Sequence, residues 1–495
     1  MHSAVYGPAA WMVRSAPVRG CLLIGALALL AACGGTAAVQ PAPSLPAAPA
    51  ASSAKSLLTF GFAKSVHGTA VDADVTITGT TVHAFLPPGT VRSALRPFFT
   101  VSPGATVLLN NQPVSSGDTA MDCTQPVTLV VRAADGSTAT YTVSVTTDIA
   151  SIDGVMQAFM AKHAVPALSL AITRDEQLVY AKAYGWADAS QPLTPAHLFR
   201  IASLSKPVTA IAILRLVEQG RLTLGQRVFG DGGILGRTYG SLPYGPGITD
   251  ITVDQLLQHT AGGWPNDAAD PMFSNPGMSI SQLLSWTLDH RPLSNSPGSR
   301  YAYSNFGYAV LGRVIERITG EPYATAVRTL VLTPSGISSM RIGGRSLAER
   351  VAGEVHYVGQ GGENPYAVDP ARMDAHGGWI ASATDLARLL VRVDGQPRTA
   401  DLLTASTLAT MSTGSTANAG YGRGWSVNGP NWWHTGSLPG TGTEMARTTS
   451  RGNFNFVILT NTRNASGTYF SDLDGLFWSA LAATGRWPSY DLFVP

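Results

Sequence analysis

The chain has 495 residues, with 33 Lys and Arg against 31 Asp and Glu, 13% charged residues and 45% apolar ones. That length exceeds one hydrophobic core, so two folded domains plus non-core segments are expected. The near-neutral balance, with no Lys/Arg run and no metal-finger spacing, argues against a nucleic-acid partner, and the apolar content argues against a tail-like binder.

At the N-terminus, Arg14 and Arg19 precede the apolar stretch Cys21–Leu30, which has the length of a signal h-region and is short for a bilayer span. Leu30-Ala31-Ala32-Cys33 follows and resembles a bacterial lipobox. The resemblance implies that residues 1–32 are a lipoprotein signal peptide, that Cys33 is lipidated, and that acyl chains anchor the chain to a membrane. Gly34 after the Cys favours the outer membrane, facing the periplasm or the cell surface. An ordinary cleaved signal would leave Cys33 a chance residue. Only Cys123 remains beyond this region, so no intrachain disulfide framework can form. Residues 33–55 are rich in Ala, Pro and Ser and read as a tether that cannot bury enough surface to order itself.

Residues 56–147 change character. Val127–Val131 and Thr140–Val145 alternate apolar and polar positions around a turn at Asp135-Gly136-Ser137, which predicts short strands and a small all-β sandwich. The pattern resembles immunoglobulin-like modules of bacterial surface proteins; it carries no cluster of chemistry-bearing residues and reads as a spacer. Near Ala150 the period becomes helical through Ile152, Val155, Met156, Phe159 and Met160. Strands over Ala167–Thr173 and Gln177–Ala183 come next. Phe454–Thr460 reads as a buried strand and Leu473–Ala483 as a closing helix. The expected class is α+β over residues 150–490, with both ends meeting on one antiparallel sheet and a helical lobe between them.

Three strings within that span carry chemistry. A serine hydroxyl is a poor nucleophile until a base within hydrogen-bond reach takes its proton. Ser203 and Lys206 stand three apart at the opening of a helix read from Pro207, Val208, Ala212, Ile213 and Leu216, so the amine projects from the same face one turn later. Pro207 is tolerated because first-turn amides lack helical partners. The amine is a base only when burial depresses its pKa from about 10.4. The spacing alone equally fits an N-cap Ser beside a solvated Lys, and Ser52–Lys55 repeats it in the tether. In the second string, Tyr303-Ser304-Asn305, the phenol can shuttle a proton, while the Asn305 amide can bind a substrate carbonyl or hold Lys206. It follows a turn at Ser296–Ser299 and precedes a helix over Phe306–Thr319. The third, His434-Thr435-Gly436, lies on an expected edge strand. There Gly436 would let substrate approach, and the Ser437 amide would join that of Ser203 in an oxyanion hole.

In this order the strings resemble the active-site elements of penicillin-recognising serine hydrolases, which include class C β-lactamases, D,D-peptidases, D-aminopeptidases and esterases. Ile251–Gly262 and Gly377–Leu386 are also similar to family segments, His259 reading as a turn-stabilising residue. The resemblance implies a β-lactamase-like domain with Ser203, Lys206 and Tyr303 catalytic. It makes Ser203 and Ser437 the oxyanion hole and Asn305, His434, Thr435 and Gly436 substrate-binding. No cofactor or metal is implied, and the substrate is a small or peptide-like ester or amide. His434 stands where most β-lactamases carry Lys, which points away from efficient penicillin hydrolysis. A D,D-peptidase-like penicillin-binding protein or weak β-lactamase is the alternative, and a catalytically dead surface-binding protein the alternative of another kind. The Gly-x-Ser-x-Gly elbow, the His-Glu-x-x-His pattern and a phosphate-binding glycine loop are all absent from the sequence.

Overall fold

Alternating burial builds the first folded region of the computed structural model, which describes residues 50–464 and 467–493. Its strands are β1 (Leu57–Gly61), β2 (Asp74–Thr78), β3 (Thr81–Phe85), β4 (Phe98–Val101), β5 (Thr106–Leu109), β6 (Gln112–Pro113), β7 (Val127–Arg132) and β8 (Thr138–Thr146). Six of them form a sheet in the order β2-β3-β8-β7-β5-β6, and β1 and β4 form a second, two-stranded one. The β3–β8 pairing is parallel. The period of two is visible in β7, where Val127, Leu129 and Val131 turn inward to meet Val82, Ala84, Val143 and Val145, with Leu57 and Phe60 of β1 closing the core.

The expected signal segment, Cys33 and most of the expected tether lie outside the described residues. Lys55, from the second Ser-x-x-Lys match, bonds Ser137 Oγ at 3.1 Å in the β region and has no part in the cleft described below.

The larger region opens with a helix over Ala150–His163 that buries Ile152, Met156 and Phe159. The strands β9 (Ala167–Arg174) and β10 (Gln177–Gly185) follow, joined through Asp175 and Glu176, both at positive φ. β11 (Phe199–Arg200) precedes a long helical excursion, and β12 (Arg341–Ile342) and β13 (Trp379–Ala381) come after most of it; the three form a small separate sheet. The chain then returns in β14 (Ser426–Val427), β15 (Asn431–Leu438), β16 (Thr441–Thr448) and β17 (Phe454–Thr460). The main sheet runs β10-β9-β17-β16-β15-β14, antiparallel throughout, with β17 paired to β9 so that the two ends of the region share one sheet.

All seven residues of β17 are buried because both sheet faces are covered. One face packs on the Ala150–His163 helix and the closing helix, through Met156, Phe159, Phe456, Leu473 and Phe477. The other carries the helical lobe around a helix over Ser205–Glu218, buried nearly all round. The closing helix starts at Tyr469, a turn before the expected Leu473. Its Tyr469 hydroxyl meets Thr460 Oγ1 at 2.8 Å and donates to the Thr462 carbonyl at 2.9 Å, a tertiary anchor that local propensity does not reveal.

The two regions touch through the C-terminal segment. Arg486 donates to Thr76 Oγ1 at 2.6 Å, pairs with Asp74 at 3.4 Å and lies over the Phe85 ring. Among the described residues no helix is long and apolar enough to cross a membrane.

Candidate active site

The nucleophile string folds as a tight turn. Ala202–Leu204 forms a single 3-10 turn that runs into the Ser205–Glu218 helix, so Ser203 precedes the α-helix instead of opening it. Side chains three apart eclipse in a 3-10 turn, which brings Lys206 Nζ to 3.0 Å from Ser203 Oγ. Ala202 is held at φ 49, a left-handed conformation costly for a residue with a side chain, directly before the hydroxyl.

Lys206 is fully buried, and burial lowers its pKa to about 7, with the nearby Asp270 carboxylate opposing that shift. Its other partners are Asn305 Oδ1 at 2.7 Å and the His376 carbonyl at 3.0 Å. Both are acceptors only. They consume the two hydrogens of a neutral amine and leave its lone pair for the Ser203 hydroxyl proton. The arrangement therefore suits a base.

Asn305 is fixed by its surroundings. Its Nδ2 donates to Asp270 Oδ2 at 2.7 Å and to Asn266 Oδ1 at 3.1 Å. Of the two roles open to it, the structure gives the one that holds Lys206; with both amide hydrogens spent, the expected donation to a substrate carbonyl is not available. Asp270 is the N-cap of a short helix over Pro271–Ser274, and burial raises its carboxyl pKa.

Tyr303 stands in the loop before the helix Asn305–Thr319, which Ser304 caps through Gly307 N–H at 3.0 Å. Its hydroxyl bonds Ser203, and burial pushes the phenol far above its usual range. It is thus a neutral phenol, able to relay a proton but not to act as a standing phenolate. His259 supports this loop from below, as a turn residue at φ 58 whose ring lies 4.2 Å from that of Tyr303.

A hydrogen-bonded chain joins His259 to the third string. His259 Nδ1 accepts the Ser304 N–H at 3.0 Å, so Nε2 carries its proton and donates to Tyr421 Oη at 3.2 Å. His434 Nδ1 lies 2.6 Å from the Thr435 carbonyl and must be its donor, which leaves Nε2 to accept from Tyr421 at 3.2 Å. Burial, reinforced by Lys206, lowers the His434 pKa to about 3 and that of His259 well below the imidazole range. Both rings are neutral at pH 7.

β15 is an edge only where it matters: β14 pairs with Trp432 and Trp433, and His434–Leu438 runs free on that side. Ser203, Tyr303, Asn305, His434, Thr435 and Ser437 all line one cleft of about 600 Å³. Gly436 does not line it. A side chain there would strike the Ile201 carbonyl and Thr443, so the expected gap for substrate is instead the close seating of β15 on the nucleophile turn. Arg463 is a half-buried cation lining the cleft. It is engaged by Glu363 through Nε at 3.0 Å and by Ser437 Oγ at 2.6 Å.

Sequence reasoning misses Asp270, Asn266, the His376 carbonyl and the Tyr421 bridge. The His376 carbonyl lies one residue before the Gly377–Leu386 string, but a backbone acceptor leaves no residue-type signal. Asp270-Pro271 is readable as a helix start; its burial against Asn305 is not.

Residues 152–474 match the family described as Beta-lactamase, and residues 57–145 match the one described as SGBP, N-terminal. Esterase EstB of Burkholderia gladioli is 35% identical over 206 residues, which is 38% of this chain and 50% of that protein, so the chain spans half the length of this relative. Among solved structures, the D-amino acid amidase of Ochrobactrum anthropi superposes with a TM-score of 0.55 at 22% identity, over 68% of this chain and 97% of that one. The octameric penicillin-binding protein homologue of Pyrococcus abyssi gives 0.54 at 24%, over 67% and 77%. At these identities the two structures speak for the fold.

Proposed function

Because the chain belongs to the β-lactamase family of serine hydrolases, we propose that it is an exported esterase that works through an acyl-enzyme on Ser203. The observation that carries this reading is the buried Lys206 amine, 3.0 Å from Ser203 Oγ with carbonyl acceptors on its other two sides. Lys206 takes the Ser203 proton as Oγ adds to the substrate carbonyl carbon. The Ser203 and Ser437 amides receive the oxyanion, an arrangement in which one lost donor costs about 3–4 kcal/mol. The intermediate collapses as the Tyr303 phenol protonates the departing alkoxide and is refilled from the Lys206 ammonium. Water then repeats the sequence on the ester of Ser203, releasing the acid and restoring the hydroxyl.

Ester preference rests on charge. A penicillin or peptide C-terminus needs a cation for its carboxylate, yet His434 is neutral and Arg463 is already engaged by Glu363. The similarity to an esterase supports the same choice. Export and membrane anchoring rest on the apolar stretch and the Leu30–Cys33 string; a Cys33→Ser variant is expected to leave the membrane fraction and appear soluble, and its retention on the membrane would refute lipid anchoring.

The test of the reaction is to incubate the full chain with short-chain nitrophenyl esters, a fluorophosphonate and a fluorescent penicillin, beside Ser203→Ala. Ester turnover with fluorophosphonate labelling, both lost in Ser203→Ala, is the expected result. Persistent penicillin adducts without ester turnover would mean a peptidase-like site, and no reaction with any probe would mean a binding protein.

A further inference from the structure

A second cavity, of about 310 Å³, lies on the opposite face of the main sheet, between the edge of β15–β16 and the closing helix. Its position follows from strand alternation. In β16, Thr443 faces the nucleophile turn and bonds the Ile201 carbonyl, so its neighbour Glu444 points the other way, towards the closing helix. Glu444 is directly across from Thr435, and Thr435 lines both this cavity and the catalytic cleft.

Glu444 is 2% exposed, and its Oε2 has no hydrogen-bond partner among the described residues. The group the fold sets beside it is a second acid, the Asp474 carboxyl, so the buried acid lacks a counter-charge. The closing helix adds the Asp474 carboxyl at the mouth of the cavity, while Trp433, Phe470, Phe477 and Trp478 supply aromatic walls. Arg447 also borders the space, but its guanidinium is drawn elsewhere: it lies over Trp432 and donates to the carbonyls of Asp394 and Pro430. No cation among the described residues meets Glu444. A pair of acids inside aromatic walls favours positive over negative charge, because an aromatic face is electron-rich.

We propose that this groove binds a small organic cation, an ammonium carried on an apolar or aromatic body, with Glu444 and Asp474 receiving the charge and the aromatic rings enclosing the body. The site is distinct from the cleft around Ser203 and is connected to it through Thr435. Burial and the neighbouring Asp474 push the Glu444 carboxyl well above the usual range, which favours its protonated form in the empty protein. A bound cation favours the carboxylate, and its arrival therefore expels one proton to solvent.

The probe is benzyltrimethylammonium, whose charge is permanent, titrated calorimetrically into the full chain at pH 7 in two buffers of different ionisation enthalpy. Phenylacetate and benzyl alcohol serve as anionic and neutral counterparts. The expected result is saturable binding of the cation with proton release, none for phenylacetate, and about tenfold weaker binding of benzyl alcohol. Glu444→Gln is expected to abolish the proton release and weaken the cation by about tenfold or more. Asp474→Asn, at an exposed helix position, tests the charge without burdening the core and is expected to weaken binding several-fold. Absence of saturable cation binding, equal affinity for benzyl alcohol, or an Asp474→Asn protein that binds as the parent does would overturn the proposal.

Discussion

At the scale of residues, Ser203, Lys206, Tyr303 and His434 are legible because each is a reactive type inside a recognisable string, and the structure places Ser203, Tyr303 and His434 in one cleft with Lys206 buried behind Ser203. Their partners are not legible. Asp270, Asn266 and Tyr421 act through contacts that only the folded chain creates, and Gly436 and Asn305 read as facing substrate when one seats a strand and the other holds Lys206. Two expectations follow. Tyr421→Phe removes the hydroxyl shared by His259 and His434 and leaves a buried N–H and a buried ring nitrogen unpaired, at about 1–3 kcal/mol. Urea unfolding should show that loss, and ester kcat/KM should fall, since the His434 ring loses one of its two anchors and keeps only the Thr435 carbonyl. The charge of Asp270 raises the Lys206 pKa, so Asp270→Asn should move the acid limb of the kcat/KM profile to lower pH. A limb that stays in place would show that Asp270 carries no charge in the free protein.

At the scale of elements, the strong periods are readable and the tight turns are not. The helix over Ala150–His163 and strands β9 and β17 announce themselves by spacing and by long apolar runs. By contrast, the 3-10 turn at Ala202–Leu204 is too short to leave a period, yet it sets the distance between nucleophile and base. The packing of β15 on that turn is what Gly436 permits. Gly436→Ala should drive β15 away from Ile201 and Thr443, at the roughly 1–3 kcal/mol or more typical of overpacking. A lowered thermal midpoint together with slower Ser203 labelling is expected; a midpoint and labelling rate equal to the parent's would show that the contact yields freely.

At the scale of the whole molecule, a helical lobe inserted between the two ends of a sheet brings residues far apart in the chain to one point. Lys206 meets Asn305 and His376 from separate helices, and β15 closes the cleft from the sheet. The α+β class and this insertion can be read from the sequence, because both ends show strand patterns around a helical middle. The parallel β3–β8 pairing and the clip of Arg486 on the first region cannot, since neither has a local signature. What the assembly achieves is the removal of water from one amine. The most direct measurement is the second-order rate of Ser203 labelling by a neutral fluorophosphonate between pH 5 and 10, with Lys206→Ala as reference. The rate should rise with a single titration near the lowered Lys206 pKa of about 7 and then level off, with the limb lost in the variant. A rate still climbing beyond pH 9, or a limb that survives in Lys206→Ala, would contradict the account.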